Sequence, residues 1–534
     1  MKAMVRSFYL LSLALILMSF SGCDRTREHD EPVPAFERLQ TGQSVNSSIL
    51  KRPVSYAVLL PAEYENTTKS YPVVYLLHGF GDNEKAWYQG GNIRYHADLH
   101  AAETGPVIYV MPQGFNTYWV NKYNGNYPYM NMLTQELMPH IDSLYRTAGH
   151  ASQRAVMGYS MGGYGALILA AKNPEIFGTA VVLSMSFRTD GQYLAEPQSV
   201  YDVQWGPVFG SPGKSGNDRL SPYFLEYSPF HFFTNQNDPA LSGQQYFIDC
   251  GDDEESLSET NNALHLILRQ EGIKHEYRVR NGAHTWDYWH KSLPEAFRFI
   301  GTAFRNQNYA DEGEPASLTA TLSDEEVHEF TIPGSTHPYR VMTPAQYVSE
   351  TRTYPLFVFL HERPGNDPEG ASQKLLSLIK GSIVGMKLPQ TLFVEIPCTG
   401  SVLSANDIEL LVDEVKQNFR VNTGGRYAVI GANGDAGSSL TGMAGALSEN
   451  FNACMLFDAG IDDSVLPESK ELKWYLDITD EGANAPAYHS LFMHLKKGNF
   501  PHEYRVRQGL ATHGDVLSGL NNATVFIKDN LLKQ

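Results

Sequence analysis

Gly158-Tyr159-Ser160-Met161-Gly162 is a stretch where residue types and spacing suggest a reaction. It reads G-x-S-x-G, with the apolar run "RAVMG" (154–158) before it and "GGYGALILAAKNP" after it. A serine on a sharp strand-to-helix turn needs glycines nearby, because neighbouring backbone passes too close for a Cβ. Once a base takes its proton, such a serine attacks carbonyl carbons. The pattern is short enough to arise by chance, so its partners decide. "LLHGFG" (76–81) is a strand ending in a Gly-rich turn, the place where an oxyanion hole takes a second main-chain N–H. The expected donors are the N–H groups of Phe80 and Met161. "FIDCGDDEESL" (247–257) leaves a strand into a cluster of carboxylates, and "RNGAHTWDYW" (280–289) puts His284 in a loop after the strand "HEYRVR". The order serine, acid, histidine makes Ser160 the expected nucleophile and His284 the general base and then acid. One carboxylate of the cluster, Asp253 or Glu254 among them, would orient the imidazole.

Other features carry less. His96 and His100 stand i, i+4 on a predicted helix, but no third metal ligand is recognisable nearby, so they read as a solvated or capped helix face. No metal or cofactor is expected. Tyr118, Trp119, Tyr123, Tyr127 and Tyr129 form an aromatic-rich loop at the sheet edge where ligands bind, suited to stacking on a sugar or aryl group or to ordinary packing. The long connection 186–243 contains "VQWGPVFG" (203–210) and reads as a cap over the pocket. Trp119, Trp205 and Trp286 are the candidates for substrate contact.

The elements that must position these groups follow from the apolar runs "VVYLL" (73–77), "VIYVM" (107–111), "RAVMG" (154–158), "AVVLS" (180–184) and "QYFID" (245–249), continuous enough to be strands covered on both faces. Amphipathic stretches at 131–146 and 161–173 lie between them. Alternation of this kind predicts a doubly wound, mostly parallel α/β sheet. The chain then repeats itself: "YAVLLPAEYENTTKSYPVVYLLHGF" (56–80) is answered by "YRVMTPAQYVSETRTYPLFVFLHER" (339–363), "RAVMGYSMGGYGAL" by "YAVIGANGDAGSSL", and "HEYRVR" recurs at His502. Three blocks in one order predict two tandem domains of one fold. In the second, Asn433 stands opposite Ser160, Gly482 opposite Glu254 and Ala511 opposite His284, and "LLHGFG" has become "FLHERP". His513 and Asp515 lie close by without a nucleophile. The second copy is therefore expected to be a structural, binding or regulatory domain without chemistry.

"LLHGFGDNEKAW", "GYSMGGYGAL", "DCGDDEE" and "GAHTWDYW" together resemble the feruloyl esterase, esterase D (S-formylglutathione hydrolase) and mycolyltransferase family of α/β-hydrolases, over about residues 45–302. The resemblance implies an α/β-hydrolase fold and a serine esterase. It places the acid three residues after the glycine of the D-x-G turn, which is Glu254 here where most members have Asp; Asp253 is the close competitor. It further implies removal of feruloyl or acetyl groups from plant polysaccharide such as xylan. The rival expectations are acyl transfer to a sugar or lipid acceptor, and a glycan-binding surface protein with a vestigial esterase.

Composition bounds these readings. With 42% hydrophobic and 19% charged residues in 534, the chain is not disordered, and 41 basic against 59 acidic residues exclude a nucleic-acid partner that needs a basic patch. Lys2 and Arg6, an apolar stretch from Phe8 to Phe20, and Ser21-Gly22-Cys23 form an export signal ending in a lipobox-like site. Lipidation at Cys23 would anchor a bacterial outer-membrane lipoprotein, facing the periplasm or the cell surface. Cys250, Cys398 and Cys454 read as buried free thiols. The expected organisation is a signal peptide (1–22), a tether (23–44), a catalytic domain (45–305), a linker (306–325) and a degenerate domain (326–534).

Overall fold

The computed structural model describes residues 37–234, 241, 243–309, 317–323, 326–398, 403–422, 427–462, 466–467 and 469–532. The signal segment, Cys23 and most of the predicted tether lie outside these. In the first half the strands are β1 (Leu39–Ser47), β2 (Arg52–Leu59), β3 (Val73–Leu77), β4 (Ile108–Pro112), β5 (Arg154–Tyr159), β6 (Thr179–Leu183), β7 (Gln245–Gly251) and β8 (His275–Arg280). In the second half they are β9 (Val327–Thr331), β10 (Pro338–Met342), β11 (Leu356–Glu362), β12 (Leu392–Cys398), β13 (Ala428–Asn433), β14 (Ala453–Phe457), β15 (Lys473–Thr479) and β16 (His502–Arg507).

All sixteen join one sheet in the order β1-β2-β4-β3-β5-β6-β7-β8-β16-β15-β14-β13-β11-β12-β10-β9. From β4 to β8 and from β12 to β16 the pairing is parallel, while the hairpins β1–β2 and β9–β10 add antiparallel edges. The second half repeats the order of the first, and the two meet antiparallel at β8 and β16. The fold is thus two tandem α/β-hydrolase domains sharing a continuous sheet.

Why the strands read as unbroken apolar runs is visible in β3. Val73, Tyr75 and Leu77 enter the core on one face, Val74 and Leu76 the core on the other, so neither parity of the strand is left to solvent. Helix Trp286–Phe304 covers the second face with Leu293, Phe297 and Ile300. One boundary differs from expectation. The first domain begins with β1 at Leu39, inside the stretch predicted as tether, because an edge strand with one covered face carries the polar sequence "LQTGQSVNS". Residues 317–323 of the predicted linker run without regular structure, and Ala320 and Thr321 bond Ser377 and Lys380 of helix Pro368–Val384. Among the described residues no helix is long and apolar enough to cross a membrane.

Candidate active site

Ser160 sits between β5 and helix Met161–Lys172 at φ 57° and ψ −121°, a strained conformation for a residue with a Cβ. The crowding that forces it is measurable. A Cβ at Gly158 would lie 2.2 Å from the Gly162 carbonyl oxygen, and one at Gly162 would lie 2.2 Å from that of Leu77. Backbone bonds hold the turn: the Ser160 N–H donates to Leu183 O at 2.9 Å, and the Ser186 N–H to Ser160 O at 3.0 Å.

Opposite Ser160 runs the 78–81 turn after β3. His78 is buried, its Nδ1 2.8 Å from Gly79 O, and its Nε2 accepts the Gly114 N–H at 2.8 Å, which ties this turn to the loop after β4. Burial pushes the His78 imidazole below its usual range. The Gly81 N–H donates to Asn116 Oδ1 at 2.7 Å. Phe80 is partly exposed, and Met161 opens the helix, where an N–H has no intrahelical acceptor.

The loops after β7 and β8 supply the other groups. His284 Nδ1 lies 2.6 Å from Glu254 Oε2. The second oxygen of that buried carboxylate accepts from Ser184 Oγ at 2.5 Å and from the Gly251 N–H at 2.9 Å. Trp289 Nε1 donates to Ser184 Oγ at 2.9 Å, and its ring meets the His284 ring edge-on at 5.0 Å. Asp253 is exposed, with its N–H bonded to Gly282 O. A carboxylate held on one oxygen and facing an imidazole with the other is the arrangement that fixes a histidine tautomer and stabilises its charged form.

Three expectations need correction. Trp119 has no exposed surface; it packs flat on Gly165, where a Cβ would lie 2.4 Å from its ring, so it is a support beneath the 78–81 turn and not a substrate contact. Trp205 is equally buried, surrounded by the rings of Tyr118, Phe187 and Tyr193 inside the cap. Only Trp286 of the three keeps some exposed surface, meeting the rings of Trp87, Tyr159 and Trp289 edge-on. His96 is not on a solvated face: it is buried between His100 and His290, ring centroids 6.3 and 4.9 Å away, and burial pushes it down to about 4, helped by those neighbouring rings. Among the described residues no group of three or more His, Cys, Asp or Glu is disposed to hold a metal ion.

In the second half the strand register moves the expected correspondence by one residue. Gly434, at φ 60° and with its carbonyl oxygen accepting the Gly460 N–H at 2.7 Å, stands where Ser160 does. Asn433 stands opposite Tyr159 and exchanges two 3.0 Å bonds with the backbone of Glu362. The Glu362 carboxylate accepts the Asp435 N–H and would lie 1.9 Å from a Cβ at Gly434. Asp435 corresponds to Met161 in this register, so the carboxylate takes the N–H equivalent to one of the two expected oxyanion donors. His513 is bonded to His361 at 3.0 Å, and Asp515 is spent in a capping box with Thr512. Sequence reasoning missed Ser184 and Asp252. A serine ending an apolar strand gives no signal of its own, and Asp252 was one carboxylate in a cluster.

A doubly wound sheet carrying a strained serine at the end of its central strand defines the class of α/β-hydrolases. Residues 47–300 match the model of the family described as "Putative esterase". An esterase of Mycobacterium tuberculosis strain H37Rv is 36% identical over 166 residues, 29% of this chain and 35% of that protein. An endo-1,4-beta-xylanase/feruloyl esterase of Xylanibacter ruminicola is 32% identical over 149 residues, 26% of this chain and 20% of that protein. The chain thus spans about a third or less of the length of these relatives. Among solved structures, a ferulic acid esterase covers 50% of this chain and 98% of its own at 26% identity, with a TM-score of 0.41.

Proposed function

We propose that the first domain is a serine carboxylic-ester hydrolase in which Ser160 is the nucleophile, His284 the base and Glu254 the orienting acid. The observation that carries this reading is the 2.6 Å contact of His284 Nδ1 with a carboxylate already anchored by Ser184 and Gly251, at the same end of the parallel sheet as a serine on a strained turn. His284 Nε2 takes the Ser160 proton as Oγ adds to the ester carbonyl. The N–H groups of Phe80 and Met161 take the oxyanion. Collapse expels the alcohol, which receives the proton from His284 and leaves an acyl-Ser160 ester. Water, deprotonated by the same imidazole, then releases the acid. The substrate proposed is a feruloyl or acetyl ester on plant polysaccharide such as xylan, supported by the similarity to the Xylanibacter endo-1,4-beta-xylanase/feruloyl esterase. Cys23 is proposed to carry a lipid that tethers the chain to a bacterial outer membrane. The second half is proposed to be non-catalytic, since Gly434, Gly482 and Ala511 lack a nucleophile, an acid and a base, and the Glu362 carboxylate takes the N–H of Asp435, the counterpart of Met161.

Methyl ferulate, p-nitrophenyl acetate and acetylated xylan should be offered to wild type and Ser160→Ala. Wild type is expected to hydrolyse at least one, and the variant to lose about 10³-fold in kcat. A variant retaining a tenth of wild-type kcat overturns the nucleophile assignment.

A further inference from the structure

The seam between the halves repeats one device twice. β8 and β16 both read "HEYRVR" and meet with Val279 opposite Val506. On one side Arg278 Nη1 reaches Asp480 Oδ2 at 2.9 Å, and Asp480 Oδ1 accepts the Gly509 N–H at 3.1 Å. On the other, Arg505 Nη1 reaches Asp252 Oδ2 at 2.7 Å, and Asp252 Oδ1 accepts the Gly282 N–H at 3.1 Å. The two arrangements correspond residue for residue. What they hold does not. Asp480 and Gly509 tie together the loops bearing Gly482 and Ala511, whereas Asp252 and Gly282 tie together the loops bearing Glu254 and His284.

Asp252 is gripped further from the second half: the Tyr504 N–H donates to Oδ2 at 3.0 Å and Lys496 Nζ to its carbonyl oxygen at 2.6 Å. Three of the groups bonded to this 3%-exposed residue therefore come from the half that has no chemistry of its own. We propose that the C-terminal half positions the N-terminal active site, and that Arg505, acting through Asp252, is the positioning residue that sets the Glu254 and His284 loops against each other.

The physical reason is the cost of an unpaired buried carboxylate. Burial pushes the Asp252 carboxyl up, and the Arg505 guanidinium opposes it. Without Arg505, Asp252 either takes a proton or turns toward water, and its hold on Gly282, two residues from His284, loosens. The Glu254–His284 contact is short, so a drift of a few tenths of an ångström there acts on the transition state and leaves substrate binding alone.

This inference rests on the proposed triad, and the experiment separates the two. In the full-length protein, Arg505→Gln is expected to lower kcat about tenfold with KM within about twofold, and Arg505→Lys to recover much of it. Asp480→Asn breaks the symmetry-related pair; it should lower the thermal midpoint yet keep kcat within about twofold of wild type. The downfield proton resonance of His284 Nδ1–H should weaken in Arg505→Gln and persist in Asp480→Asn. Unchanged kcat in Arg505→Gln, or an equal loss in Asp480→Asn, overturns the proposal. Should Arg505→Gln fail to fold, Arg505→Lys against Asp480→Asn makes the same comparison. Absence of any wild-type ester turnover would instead refute the esterase reading, and the Nδ1 resonance would then decide the positioning role alone.

Discussion

Glu254 and Asp253 are adjacent carboxylates in different surroundings, because the turn after β7 points consecutive side chains in different directions. Glu254 is buried against Ser184 and His284, while Asp253 is exposed. Glu254→Gln keeps the shape but offers its partner no negative charge, so the imidazole loses both tautomer control and stabilisation of its charged form. We expect Glu254→Gln to lower kcat by about 10²-fold or more and Asp253→Asn by less than about threefold, measured on one p-nitrophenyl ester. The reverse order would move the role to Asp253. The proposed nucleophile and base, Ser160 and His284, could be picked out of the sequence because each stands in a motif of fixed order. The proposed acid could be narrowed only to within one residue, since spacing along a turn does not give side-chain direction.

The elbow is an element whose geometry follows from packing around it. Gly162 faces the carbonyl oxygens of Leu77 and His78, main-chain atoms that cannot rotate away, so Gly162→Ala requires helix Met161–Lys172 to move off β3. That helix is buried from Met161 to Ala171, and its displacement would disturb much of the first core. Gly162→Ala should therefore destabilise by about 3 kcal/mol or more, seen as a lower denaturant midpoint, whereas Gly191→Ala, with open space around its Cβ position, should be close to neutral. The central strands were legible for the same reason that they are rigid: both faces are covered, so both parities are apolar. β1 and β9 were not, because edge strands carry polar residues at alternate positions. The tryptophans misled in the other direction. A loop rich in aromatic residues looks like a binding surface, yet Tyr118, Trp119 and Tyr129 are wholly buried, Tyr118 against Trp205 and Phe209 of the cap and Trp119 against His78 and Tyr129.

Across the whole molecule, the second half keeps its strand order and its seam while the equivalents of Ser160, Glu254 and His284 have changed, as expected if its remaining task is mechanical. That seam also contains a titratable cluster. His265 Nδ1 lies 2.8 Å from His275 Nε2, and His489 in the second half is bonded to Asn262 in the first. Burial is the leading cause that holds all three below the usual histidine range: His275 down to about 4, His265 well below its ordinary value, and His489 lowered against the opposing pull of Glu259. Arg269 and Arg278 add to the effect on His265 and His275. In the unfolded chain these imidazoles take protons near pH 6.5, whereas the folded seam keeps them neutral to lower pH. Between about pH 6.5 and 4 the unfolded state thus binds more protons, so folding stability is complete above that window and is lost as pH falls through it. The thermal midpoint of the full-length protein should drop steadily from pH 6.5 to 4.5, and His265→Gln, which cannot take a proton, should flatten that dependence even if it lowers the midpoint at pH 7.5. A wild-type midpoint that is level across this range, or a slope unaltered by His265→Gln, would show that the acid sensitivity lies elsewhere than in the seam.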